Sequence, residues 1–145
     1  MKKTKNVSSK YFKMHEKYFP FSIVDVIIRD DYGRFLLTKR IIPPYKNKWH
    51  FPGGVIEKNI SMEKMVKIIV KKELNLWVEI EQFVGVYEIK SRNRHDISHA
   101  YLVHFLAGDI KLDFQSSVVK FYKSPPNNII PIQRKMWYDA KSLNK

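Results

Sequence analysis

The 145-residue chain contains no cysteine, which excludes disulfides, thiolate-bound zinc and a cysteine nucleophile, so any metal must sit on oxygen or imidazole. The same absence fits a reducing compartment, and a cytoplasmic location is expected. No apolar run approaches the roughly 18 residues of a membrane span. Met1-Lys2-Lys3 is not followed by a signal-peptide core, so neither membrane insertion nor export is expected. Internal repeats, low-complexity tracts and linkers are absent. Acidic side chains are few, 14 against 27 basic ones, leaving a net charge of +13. That excess points to an anionic partner, whether nucleic acid, an acidic membrane surface or a phosphorylated metabolite. It is Lys-rich and spread along the chain, with no Arg cluster, Arg-Gly repeat or tandem aromatic-basic motif, which disfavours a dedicated nucleic-acid reader.

What the chain does have is enough apolar material for a core. With 44% hydrophobic residues in this length, one domain forms, because two would each be too short to bury a core beside an active site. Residues 4–19 carry Val7, Tyr11, Met14 and Tyr18 at helical spacing with lysines between them, predicting a basic amphipathic helix ended by Pro20. Such a helix packs on its own domain or on a second subunit, the route to a homodimer, more readily than on a membrane. Residues 21–28 and 34–40 read as strands joined by the turn Asp30-Asp31-Tyr32-Gly33. A loop follows to Lys48, then a rigid turn segment to Gly54, then a helix over 61–74 with Ser61 as N-cap. Strands are expected at 77–89 and 97–106 with a basic loop at 90–95 between them, and a short last element at 136–143. The mixture predicts a single α/β domain.

The segment Trp49-His50-Phe51-Pro52-Gly53-Gly54, preceded by Leu36-Leu37-Thr38-Lys39-Arg40 and Pro44 and followed by the capped helix ending Glu73-Leu74-Asn75, resembles the signature of the Nudix hydrolases. The resemblance implies an α/β/α sandwich with a mixed β-sheet over residues 20–145, preceded by the N-terminal basic helix at 1–19. It implies a substrate that is a nucleoside diphosphate linked to a small molecule, with Mg²⁺, or Mn²⁺ in its place, as cofactor. Against the family pattern counted from Gly54, the first Glu position holds Ile60, the Arg-Glu pair is Ile68-Ile69, and the Glu-Glu pair is Lys72-Glu73. The terminal Gly is Asn75, a residue that tolerates a left-handed helix C-cap. Glu73 with the Gly53 carbonyl is therefore the metal set that the resemblance leaves, and Mg²⁺ commonly binds through one or two carboxylates, with water and phosphate oxygens completing its shell. Glu73 also falls near the centre of the apolar stripe Met62, Met65, Val66, Ile69 and Val70 and in the last helical turn. Both positions cost a carboxylate unless a metal or cation offsets them, and pairing with Arg40 is the alternative.

Within the family, the chain is similar over positions 10–108 to the GDP-mannose mannosyl hydrolases, through Pro20-Phe21-Ser22, Asp25 fifteen residues before Arg40, Tyr87 and His99. The resemblance implies that Asp25 and Arg40 contact the sugar and the leaving diphosphate, with Tyr87 beside them. Alternation places Asp25 between Ile23 and Ile27 on one strand face, where it needs a partner. The subfamily's general base is a His in a Gln-His pair, but the late segment here reads Gln133-Arg134 before Trp137, and no His follows His104. Its leaving-group Arg after Pro-Gly-Gly is Val55. His95, His99 and Glu57 are then the candidates for the base. His95 is otherwise a solvated turn residue, and His99, sharing a face with Ile97, Tyr101 and Val103, is otherwise a hydrogen-bonded core histidine. A nucleotide-sugar hydrolase, a degenerate module that binds a nucleotide as a sensor, and a basic RNA-interacting protein all follow from this pattern, in that order of support.

Overall fold

The computed structural model describes residues 7–43, 45–112 and 116–143. Pro44 and the first residues of the expected N-terminal helix lie outside them. The elements are α1 (Ser9–Tyr18), β1 (Phe21–Arg29), β2 (Phe35–Arg40), β3 (Trp49–His50), β4 (Gly53–Val55), α2 (Met62–Leu74), β5 (Trp77–Ser91), β6 (Arg94–Ala107), β7 (Ser116–Tyr122) and α3 (Pro131–Leu143). They form the mixed sheet with helices that the sequence implied. β1 is central: it runs parallel to β6, which pairs antiparallel with β5, while β2 carries β7 on its other side.

β1 reads as an apolar run broken only by Ser22 and Asp25, because both its faces are covered. Val24, Val26 and Ile28 meet α2 through Met65, Val66, Ile69 and Val70. Ile27, with Phe35, Leu37 and Phe51, meets α3 through Met136, Trp137 and Ala140. The ends of α2 are as the sequence requires. Ser61 Oγ accepts from the Lys64 amide at 3.2 Å, and Asn75 closes the helix at φ 59°, ψ 39°.

Four expectations need correction. The segment 90–95 is no loop, since β5 and β6 pair up to Ser91 and Arg94, held by Ser91 Oγ donating to the Arg94 carbonyl and by His95 against Glu88 at 3.1 Å. β7 escaped the periodicity because it is an outer strand with exposed Val118, and its partner β2 lies some eighty positions earlier in the chain. α3 begins earlier than expected, with Pro131 in its first position, where the missing N–H costs nothing. The stripe Val7, Tyr11, Met14 and Tyr18 is exposed and so does not pack on the domain, which leaves the second-subunit arm of the expectation untouched. The helix meets the domain through Phe12 and His15, whose rings lie 4.9 and 4.5 Å from that of Phe21. Contact of Phe12 and His15 with the start of β1 outweighed the periodicity of that stripe. No helix among the described residues is long and apolar enough to cross a membrane.

Candidate active site

β1 and β2 touch at Arg29 and Phe35 and then separate, and residues 49–55 fill the wedge, β3 pairing with β2 and β4 with β1. A cavity of about 580 Å³ lies at this split. Because the sheet parts here, side chains from both of its layers reach the same space. Asp25 and Asp96 come from the α3 side, and Glu73 comes from α2 on the other.

Asp25 forms part of the cavity's floor. It is 1% exposed, and Ser98 Oγ donates to its Oδ2 at 2.5 Å, the partner its apolar setting demanded. Its Oδ1 has no hydrogen-bond partner among the described residues. Burial, reinforced by the nearby Asp96 charge and opposed by the Ser98 hydrogen bond, pushes its pKa up to about 7. Gly53 pairs with Asp25 across the ladder. A side chain there would collide with Asp25 Oδ1 and sit 2.7 Å from the Val24 carbonyl oxygen, so the glycine is a steric requirement. Gly54 is tight as well, because a Cβ there would lie 3.1 Å from Ile69 Cδ1.

Arg40 ends β2 at a bulge and is 5% exposed. Its amide donates to Lys48 and its carbonyl accepts from Asn47, closing the loop between them, and Nη2 reaches the Pro43 carbonyl at 3.4 Å. Glu73 is half-buried in the cavity wall, and neither Arg40 nor Glu73 stands free of interactions. The cavity thus brings together Asp25, Arg40, Gly53 and Glu73.

The other expected residues sit elsewhere. His99 pairs with Val24 on the α2 side of the sheet, and its Nδ1 donates to the Ile23 carbonyl at 2.9 Å, the core-histidine arrangement. His95 precedes Asp96 and so faces away from the cavity, toward Glu88. Glu57 follows β4 and does not line the cavity. Tyr87 is buried beneath α3, its hydroxyl donating to Asp139 Oδ2 at 2.6 Å; burial and that carboxylate push its pKa up. Of the Gln133-Arg134 pair, Gln133 lines the cavity and accepts from the Phe51 amide at 2.6 Å, while Arg134 turns away to fasten the Pro126 and Asn127 carbonyls.

Several cavity residues lie outside the candidates that the sequence singles out. His50 lines the cavity, with Nδ1 donating to the Phe51 carbonyl at 2.8 Å and Nε2 accepting from Thr38 Oγ1 at 3.2 Å. Its place beside Trp49 in the motif could have marked it. Asp96, Arg94 and Glu16 are brought in by the β5–β6 hairpin and by α1, contacts that no local spacing announces.

The donor set bears directly on a divalent cation. Asp25 Oδ1, a buried oxygen without a partner among the described residues, lies in the same cavity as Glu73 and beside Gly53. Among the described residues, no cluster of three or more His, Asp or Glu could hold an ion alone. The residues therefore fit Mg²⁺ that completes its octahedron with water and ligand phosphate oxygens, and do not form a self-sufficient cage.

A family model described as NUDIX domain matches residues 20–143. The chain is 28% identical over 121 residues to an ADP-ribose pyrophosphatase of Methanocaldococcus jannaschii, covering 81% of this chain and 71% of that one. It is 28% identical over 122 residues to the low-salt glycan biosynthesis protein Agl8 of Haloferax volcanii, covering 77% and 76%. The fold superimposes on a MutT protein from Methanosarcina mazei with a TM-score of 0.77 at 20% identity, covering 87% and 96%.

Proposed function

The chain belongs to the NUDIX family, hydrolases of nucleoside diphosphate derivatives, and from that premise we propose that its substrate is a nucleotide sugar such as GDP-mannose, with Mg²⁺ as cofactor. The observation that carries this reading is the meeting of buried Asp25 with Arg40 and Glu73 in one cavity. The similarity to a glycan biosynthesis protein supports the sugar.

Glu73 and the Gly53 carbonyl would hold the ion, which when bound would neutralise the diphosphate and stabilise its leaving oxygen. Arg40, fixed at the end of β2, grips the diphosphate. Asp25 meets the sugar end and, with a pKa near neutrality, accepts the proton released by attacking water. That role falls to Asp25 because Glu57, His95 and His99 lie outside the cavity. Arg40→Lys is expected to cost about tenfold or more in turnover, since an ammonium cannot copy a two-pronged grip on phosphate. A wild-type rate in that variant, measured at saturating substrate, would remove Arg40 from the diphosphate.

Mg²⁺ affinity is expected to be weak for the protein alone and clearly tighter with GDP present, because the ligand supplies oxygens the protein lacks. Calorimetric titration with and without GDP measures this, and equal affinities would contradict the shared shell.

One observation favours a module that binds a nucleotide without turning it over. Ile69 is buried against Gly54, and Ile60 packs on the same core, so two carboxylate positions of the family pattern have become part of the interior. Incubation with Mg²⁺ and GDP-mannose, UDP-glucose, ADP-ribose and dinucleoside polyphosphates in ¹⁸O water separates the two. Slow turnover of a nucleotide sugar is expected. Label in the sugar means attack at carbon, and label in phosphate means attack at phosphorus. Binding with no product above the uncatalysed rate would replace the enzyme with the sensor.

A further inference from the structure

The matched family domain begins at residue 20, yet α1, which precedes it, supplies Phe12 and Glu16 to the wall of the cavity. Glu16 is the one acidic residue of α1, half-buried, and it makes no hydrogen bond or ion pair with another described residue. A half-buried carboxylate left unpaired on a chain of net charge +13 is costly unless a ligand donates to it.

Beside it the hairpin holds a rigid cation. Arg94 Nε donates to Asp96 Oδ1 at 2.8 Å, and the guanidinium lies 4.2 Å above the Phe21 ring and 5.8 Å from that of Phe12. Its Nη2 is buried and has no acceptor among the described residues. An orphaned buried donor of this kind is destabilising, and a ligand carbonyl would relieve it. β6 sets Asp96 opposite Phe21 and Ala100 opposite Asp25. Phe21 and Asp25 are four residues apart, about 13 Å along the strand. That separation suits a nucleotide sugar with its base at α1, its diphosphate between Arg40 and Glu73 and its sugar end at Asp25.

We propose that Glu16 and Arg94 form a nucleobase subsite that selects guanine, a specificity device added to the cavity by the N-terminal helix. This rests on the reading of the cavity as a nucleoside diphosphate site. A carboxylate offers only acceptors, and its two oxygens match the adjacent N1–H and N2–H donors of guanine. Adenine and cytosine set an acceptor beside their amino group, and uracil flanks its N–H with two carbonyls. Each of these turns a lone pair toward Glu16. The O6 carbonyl of guanine meets Arg94, and Phe12 and Ile89 supply apolar surface for the ring.

Calorimetry on the full chain with Mg²⁺ tests this, using GDP, IDP, ADP, UDP and inorganic pyrophosphate as probes. GDP should bind at least tenfold more tightly than ADP or UDP. IDP, which lacks the N2 amino group, should fall between. Glu16→Gln should lose tenfold or more on GDP and little on ADP, with an unchanged melting temperature showing that α1 still docks. Equal binding of all four nucleotides, or an equal loss on all of them in the variant, would overturn the subsite while leaving the diphosphate site standing. Nucleotides binding no better than pyrophosphate would overturn both.

Discussion

Glu73→Gln is expected to lower turnover by about 10²-fold or more while leaving the fold intact, because on the proposed reading it removes the charged group that would hold the ion without changing shape. The stability side of the result follows from position. Glu73 sits in the last turn of α2, where the negative end of the helix dipole opposes a carboxylate, so neutralising it should leave the melting temperature unchanged or slightly higher. A structural ion pair would behave in the opposite way, with activity kept and stability lost. Turnover measured at saturating Mg²⁺, together with thermal melts, separates the two. An unchanged rate would take Glu73 out of the site.

The second large effect is at Asp25. Asp25→Asn should abolish measurable turnover and also change how stability depends on pH. The carboxyl titrates near 7 in the fold against 3.8 for its ordinary value, so folding takes up a proton between those limits. A raised pKa contributes stability that is full below about pH 4 and lost as pH rises through 7, by about 4 kcal/mol at most. Asn has no such proton to lose and can still accept from Ser98. Measured with a chelator present, so that no cation compensates the charge, the variant should match the wild type near pH 4 and exceed it in stability at pH 8. A difference that stays flat with pH would show that Asp25 is ionised in the fold without cost.

These two residues also show how far the sequence reached. Asp25 was legible because strand alternation set a carboxylate between Ile23 and Ile27, and Glu73 because helical spacing set one in an apolar stripe. Both are local periodicities, each an offense against burial that a single element already displays. The α/β class and Ser61 and Asn75 at the ends of α2 belong to the same kind of evidence, whereas the crowding that keeps position 53 a glycine comes from Val24 and Asp25 across the ladder. Which β6 side chains reach the cavity was not legible. A strand has two faces, and the pairing of β6 with β1 turns Asp96 toward the cavity and His95 and His99 away from it. The exposed stripe of α1 misled for a related reason. Helical periodicity reports that a face is apolar, while the choice of Phe12 and His15 as the docking face lay with Phe21 across Pro20.

What the sequence determined by itself is the central elements β1, β2, α2, β5 and β6 and the caps of α2, because each is fixed by neighbours a few residues away. Only the tertiary structure decided the site. The parting of β1 from β2, filled by residues 49–55, lets Asp25 from one layer and Glu73 from the other share a cavity, and long-range pairing alone brings Glu16, Arg94, Asp96 and Gln133 to its walls. Such contacts are chosen by the summed burial of the whole sheet and both helices, a quantity that no short window of the chain contains.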